Sequence, residues 1–176
     1  DLLVNEESRR TALLRSRAVS TLRSALDRRG FLEVETPVLQ PLYGGAAARP
    51  FTTHHQKYDQ ALFLRISDEL YLKRLVAGGL DRVYEIGHNF RNEGISRKHN
   101  PEFTMLEAYQ AFGDYETMME LVQGMVCHVA ENVLDALVIE HKDAGGKVTK
   151  TINLSPPWKR AKYKDLVREK AGADWF

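Results

Sequence analysis

Apolar positions early in the chain return at helical spacing: Leu14, Ala18, Leu22 and Ala25 share one stripe, with arginines on the other side. Asn5 precedes them as a natural N-cap, and Glu6 and Glu7 fill the first turn, where carboxylates suit the positive end of the helix dipole. Arg28, Arg29 and Gly30 then make a stop, cations at the negative end followed by a glycine free to turn left-handed. The pattern predicts a long first helix. "FLEVETPVL" reads as a strand through Val34 with a bend at Pro37, "YGGAAARPF" as a loose small-sided loop, and "LFLRI" as a second strand. Ser67 can cap a short helix, "DELYLKRLVAG", that stops at Gly78 and Gly79. Two paired strands follow, joined by a loop crowded with charge. Asp114 caps a second long helix whose stripe of Met118, Leu121, Met125, Cys127, Val129 and Val133 faces the core. "HKDAGGKVTKTINL" is a turn flanked by strands, and "PPWKRAKYKDLVREKAG" opens a last helix.

The order of elements is helix, strands, helix, hairpin, helix, without regular strand–helix alternation. That argues for an α+β fold on a largely antiparallel sheet flanked by helices, and against a Rossmann fold. Neither a GxGxxG nor a Walker-type phosphate loop occurs.

Composition narrows the picture. With 176 residues and 43% apolar content, the chain can bury a core of ordinary domain size. Its 25 basic and 24 acidic residues give a net charge of +1, so any anion binding must come from local placement. The single cysteine, Cys127, excludes a disulfide framework and a Cys-rich metal site, and it fits a reducing, cytoplasmic setting. No apolar run approaches the ~20 residues of a membrane span, and no signal peptide is evident. The chain opens without a methionine and closes on "KAGADWF"; both ends are those expected of a piece of a longer protein.

Strand parity sorts the candidate chemistry, because residues two apart share a face. In "RVYEIGHNFR", Glu85, Gly87, Asn89 and Arg91 point one way, while Tyr84, Ile86 and Phe90 look like core. In "FTMLEAYQAF", Phe103, Met105, Glu107 and Tyr109 share a face. One face of the hairpin therefore gathers carboxylates, an arginine and aromatic rings, with Gly87 leaving space. Parity alone leaves two accounts open, a solvated face with cross-strand ion pairs or a ligand pocket with an aromatic wall. Glu69 could merely favour its helix dipole, and Gly44–Gly45 could be a plain loop or a place where a ligand approaches backbone. His54–His55 has no metal-ligand spacing with any partner.

These residues resemble a known family. "GFLEVETPVLQ" is similar to motif 1 of the class II aminoacyl-tRNA synthetases, and "FRNEGISRKHNPEFTMLEAYQAF" to their motif 2. With "GGAAARPF" and "ISDELYLKRLVAGGLDRVYEIG", the set resembles the lysyl-tRNA synthetases in particular, over essentially the whole chain. The resemblance implies a partial class II catalytic domain over 1–176, cut before motif 3 and without the anticodon-binding domain. It implies a lysine–tRNA ligase that joins lysine and ATP into lysyl-adenylate and transfers lysine to tRNA(Lys). By the same resemblance, ATP is held by Arg91, Glu93, His99, Asn100 and Phe103, with Arg91 also the catalytic residue. Lysine is held by Gly45, Glu69, Arg91, Glu107 and Tyr109. Arg97 and Lys98 would add cations near the phosphates. Mg2+ is expected, with no metal ligand in this chain, and motif 1 implies a homodimer. The alternatives are a paralogue that activates lysine for attachment to a protein acceptor, and a non-catalytic dimerisation or regulatory module retaining the fold.

Overall fold

The computed structural model describes residues 1–172, so the terminal pair Trp175–Phe176 lies outside the described residues. The elements are α1 (Glu6–Asp27), β1 (Leu32–Glu33), β2 (Leu39–Gln40), β3 (Thr52–His55), β4 (Gln60–Leu64), α2 (Glu69–Ala77), β5 (Arg82–Phe90), β6 (Glu102–Gln110), α3 (Tyr115–Val129), β7 (Val138–Lys142), β8 (Val148–Asn153) and α4 (Tyr163–Ala171). They fall into two units: Leu22–Met118, and the segments Asp1–Thr21 and Met119 onward. Helices and largely antiparallel sheets make up both, as expected of the α+β fold.

Local signals place most boundaries. Asn5 Oδ1 accepts from the backbone N–H of Glu7 (3.1 Å) and of Ser8 (3.2 Å), the bonds expected of an N-cap. At the other end of α1, Gly30 adopts φ +76°, which a side chain would resist. Asp114 Oδ1 likewise accepts from the N–H of Thr117 at 2.9 Å and opens α3. Those donated bonds and the Thr117 hydroxyl hold the Asp114 carboxyl below its ordinary range. The apolar stripe of α3 buries Leu121, Met125 and Cys127, and Cys127 donates its thiol to the Leu154 carbonyl at 3.2 Å. Cys127 is thus a packed core side chain.

In the unit Leu22–Met118 the sheet β1-β5-β6 carries the long hairpin β5–β6, and β1 adds to β5 as a short parallel strand. A second sheet, β2-β4-β3, is antiparallel throughout. The strand expected through Val34 pairs with β5 over only Leu32 and Glu33, with Val34 adding one further N–H to the Tyr84 carbonyl, and Leu39 at the end of "FLEVETPVL" belongs to β2. The two sheets meet where the Phe90 N–H donates to the Arg65 carbonyl, and the Arg65 N–H donates to the Val38 carbonyl in continuation of the β2–β4 pairing. Ala25, Leu26, Phe31, Ile66, Leu72, Val83 and Tyr84 are buried and form the core of this unit. In the other unit, β7 and β8 form the hairpin expected around "DAGGK".

Candidate active site

The hairpin register is the one parity requires. Glu85 faces Glu107, Gly87 faces Met105 and Asn89 faces Phe103 across the ladder. The face they share is not uniformly open, however. Glu85 and Asn89 are buried, and so is the side chain of Arg65, the charged residue inside "LFLRI", which lies across this part of the face. Its Nε donates to the His88 carbonyl (2.9 Å), and its Nη1 to Thr36 Oγ1 (3.1 Å) and to Glu85 Oε1 (2.5 Å). Glu85 Oε2 takes the hydroxyl and backbone N–H of Thr36, at 2.6 and 3.1 Å. The space expected beside Gly87 is therefore not left for a ligand: a Cβ there would collide with the Arg65 guanidinium. Parity identifies the face and leaves a solvated surface or a ligand pocket open; around Glu85 and Asn89 the face is neither, being buried beneath Arg65.

Asp68 sits beside this cluster, fully buried, with Oδ1 3.1 Å from Arg65 Nε. That N–H is directed at His88, so neither carboxylate oxygen of Asp68 receives a well-formed hydrogen bond from any described residue. Burial pushes its carboxyl up to about 6; the Arg65 charge opposes this, and the charges of Glu85 and Glu107 reinforce it.

Above the cluster, the turn between β4 and α2 meets strand β6. Ser67 accepts from the Glu69 N–H at 3.2 Å, which supports the start of α2, and its own hydroxyl donates to Glu107 Oε1 at 2.8 Å. The Asp68 N–H donates to the same oxygen at 3.1 Å, and the Tyr109 hydroxyl to Glu107 Oε2 at 3.1 Å. Burial, followed by the Glu107 charge, raises the Tyr109 hydroxyl above its ordinary range and keeps it a donor. Gly45, at φ +85°, closes over this turn: a Cβ there would stand 2.8 Å from both Glu69 Cβ and Ser67 Oγ. Glu69 itself is paired with Lys73 at 2.6 Å. Gly45, Glu69, Glu107 and Tyr109 thus form one group of neighbours, with Ser67 at its centre.

Arg91 continues β5. Its Nη2 reaches the Ile66 carbonyl at 3.5 Å, its guanidinium lies 5.2 Å from the centre of the Phe103 ring, and its Nε is buried without an acceptor among the described residues. The Arg91 N–H donates to the Pro101 carbonyl at 2.8 Å and closes the base of loop 92–100. Arg91, Glu93, Lys98, His99, Asn100 and Phe103 line one cavity of about 360 Å³. All five residues expected at ATP are in that set. Arg97 is not among its lining residues. His99 Nδ1 is tied to Ser96 Oγ at 2.8 Å, which fixes the turn of the loop. Behind it, Glu93 also borders a shallower depression with Tyr43, Arg49 and Pro50, where Glu93 Oε1 accepts from the Arg49 N–H at 3.3 Å.

Sequence reasoning gave Ser67 only a capping role and passed over Arg65 and Asp68. The available signal was a charged residue between Leu64 and Ile66, a position that demands an internal counter-charge.

Comparison with known proteins shows the family. Residues 1–174 match the family model described as tRNA synthetases class II (D, K and N). The chain is 55% identical over 175 residues to a lysine–tRNA ligase of Carboxydothermus hydrogenoformans, covering 99% of this chain and 35% of that protein. It is 51% identical to the lysine–tRNA ligase of Syntrophomonas wolfei (99% and 34%) and 48% identical to that of Shouchella clausii (100% and 34%). The chain thus spans about a third of the length of the curated relatives it matches. With its motifs, its antiparallel hairpin and a family match over nearly its whole length, this chain belongs to the class II tRNA synthetases of the D, K and N group.

Proposed function

We propose that this chain supplies the motif 1 and motif 2 part of a lysine–tRNA ligase site, and that its two groups of side chains divide the substrates between them. The observation that carries the reading is the position of Arg91. Its guanidinium lies against the Phe103 ring in the cavity and reaches back to the Ile66 carbonyl, next in sequence to the Ser67–Glu107 cluster. A cation at that junction suits a reaction in which a carboxylate attacks phosphorus.

In this reading ATP occupies the cavity. Phe103 stacks on adenine, Glu93 accepts from the adenine amino edge, and His99 and Asn100 lie along the nucleotide with Lys98. Lysine occupies the acidic group, with Glu69 and Gly45 at its α-ammonium and Glu107 with Tyr109 at its ε-ammonium. The lysine carboxylate oxygen attacks the α-phosphorus, the new C–O–P bond forms, and the bond to the bridging oxygen breaks to release pyrophosphate. No protein nucleophile is needed. Arg91 holds the carboxylate to the α-phosphate and stabilises charge on the phosphoryl oxygens, by positioning and electrostatics. The lysyl group then passes from the adenylate to the 3′ end of tRNA(Lys). A dication calls for acids in its pocket, and an aspartate or asparagine substrate would call for a cation there instead.

ATP of this kind travels with Mg2+. Among the described residues no group of three or more His, Cys, Asp or Glu could hold a metal ion, so no residue is assigned to it and no step runs through it. No described helix is long and apolar enough to cross a membrane. A homodimer through the motif 1 segment is supported by the exposed apolar side chains Leu32, Val38, Leu39 and Leu42.

The test is ATP–pyrophosphate exchange by the full-length protein, with lysine, aspartate and asparagine in parallel. Lysine-dependent exchange is expected, falling by at least about a hundredfold in kcat in Arg91→Lys, which keeps the charge but loses the fork. Exchange driven by aspartate or asparagine overturns the assignment of the pocket.

A further inference from the structure

The acceptor geometry of Glu107 has a consequence for which cation the pocket admits. A carboxylate offers about four lone-pair sites, two on each oxygen. Glu107 Oε1 receives two donors, the Ser67 hydroxyl at 2.8 Å and the Asp68 N–H at 3.1 Å. Oε2 receives one, the Tyr109 hydroxyl at 3.1 Å. One site remains, on Oε2. Ser67 Oγ accepts the Glu69 N–H at 3.2 Å through a lone pair, and its hydrogen is donated to Glu107 at 2.8 Å. Ser67 is buried, and Gly45 closes over it with no room for a Cβ, so the hydroxyl is held in place from both sides.

We propose that Ser67 is a specificity-determining positioning residue: by filling the second site on Glu107 Oε1, it leaves the carboxylate able to receive a single N–H and so selects a primary ammonium over a guanidinium. The two chemistries differ in what they require. An ammonium is a compact charge that needs one acceptor at a time and can direct its other hydrogens to water or neighbouring groups. A guanidinium binds a carboxylate as a fork, with two parallel N–H bonds that need two free sites. With Oε1 occupied, the fork can place only one of its hydrogens, and the other is left buried without an acceptor, at a cost of order tenfold or more in affinity. The inference rests on the reading of this cluster as the pocket for the lysine side chain.

The experiment is lysine-dependent ATP–pyrophosphate exchange by the full-length protein, with free arginine as competitor, for the wild type and Ser67→Ala. The wild type is expected to show an arginine Ki far above the lysine KM. In Ser67→Ala the lysine KM rises about tenfold as Glu107 loses a charge-assisted donor, with kcat little changed, while arginine gains the vacated site. The ratio of arginine Ki to lysine KM therefore falls at least about tenfold. A merely structural role for Ser67 would weaken both ligands alike, and an unchanged ratio overturns the proposal. Should Ser67→Ala fail to fold by circular dichroism, Ser67→Gly vacates the same site on Oε1 and must lower the same ratio; if it does not, the proposal is likewise overturned. Absence of lysine-dependent exchange in the wild type would instead overturn the reading of the pocket, and with it this inference.

Discussion

Replacing Asp68 by asparagine removes one charge from a buried cluster while keeping its shape. Arg65 faces two carboxylates, Asp68 at 3.1 Å and Glu85 at 2.5 Å, so the cluster carries one negative charge more than its arginine can balance. Glu107 adds a further negative charge nearby. Glu85 takes its hydrogen bonds from Arg65 and Thr36, and the surplus falls on Asp68, whose oxygens receive none of good geometry from the described residues. Its carboxyl is raised from 3.8 to about 6, which at about 1.4 kcal/mol per pKa unit comes to about 3 kcal/mol. The sign follows from linkage. Between pH 4 and pH 6 the folded protein holds a proton on Asp68 that the unfolded chain releases, so this group makes stability fall as pH rises through that window. Below pH 4 the contribution vanishes, and above pH 6 the full cost is present. An asparagine cannot ionise, so the stability of Asp68→Asn relative to wild type should climb by about 3 kcal/mol between pH 4 and pH 7. Urea unfolding followed by circular dichroism at half-unit pH steps, with the wild-type curve subtracted, isolates this group from the other titrating ones. A difference that is flat with pH would refute the reasoning. A difference running the other way would show that Arg65 outweighs burial and holds Asp68 ionised.

Two further outcomes follow from the same region. Gly87→Ala forces a Cβ into a guanidinium that is 2% exposed and bonded on several sides, so it should cost about 1–3 kcal/mol and lower Tm in a calorimetric scan, and an unchanged Tm would mean that Arg65 has another place to go. Sedimentation of the full-length protein should show a dimer that Leu39→Lys shifts toward monomer, and a wild-type monomer at micromolar concentration would remove the proposed role of the motif 1 segment.

The legible parts of this chain were those whose signals are local. Caps at Asn5 and Asp114, the stop at Gly30, and the strict alternation of β5 and β6 depend on residues a few positions apart, and each formed as its spacing requires. Of the cavity residues, Arg91 and Phe103 were legible as positions at the two strand ends that one loop brings together, whereas Glu93, His99 and Asn100 were expected from the resemblance to the class II synthetases. Strands β2 and β3 were not, because Leu39–Gln40 and Thr52–His55 become strands only by pairing with β4, and so short a run carries no period of its own. The burial of Glu85 and Asn89 was not legible, because alternation tells which side a residue points to and nothing about what covers that side. The cover over Glu85 and Gly87 came from Arg65, just past the end of β4, through a contact that no spacing along the chain encodes.

The hairpin that carries Arg91 and Phe103 is closed at its base by the Arg91–Pro101 backbone bond, and His88 and Glu102 lie within 2.9 Å just below it. Everything beyond that closure is loop. The entropy of closing a loop grows only with the logarithm of its length, each doubling costing about 0.6 kcal/mol. Insertions or exchanges at Ile95, which is exposed and does not line the cavity, therefore come at small thermodynamic expense, while the guanidinium and the ring stay on the paired stem. A hairpin of this design separates the parts that must not move from the part that is free to diverge, and it offers an insertion point for grafted recognition segments within reach of the cavity.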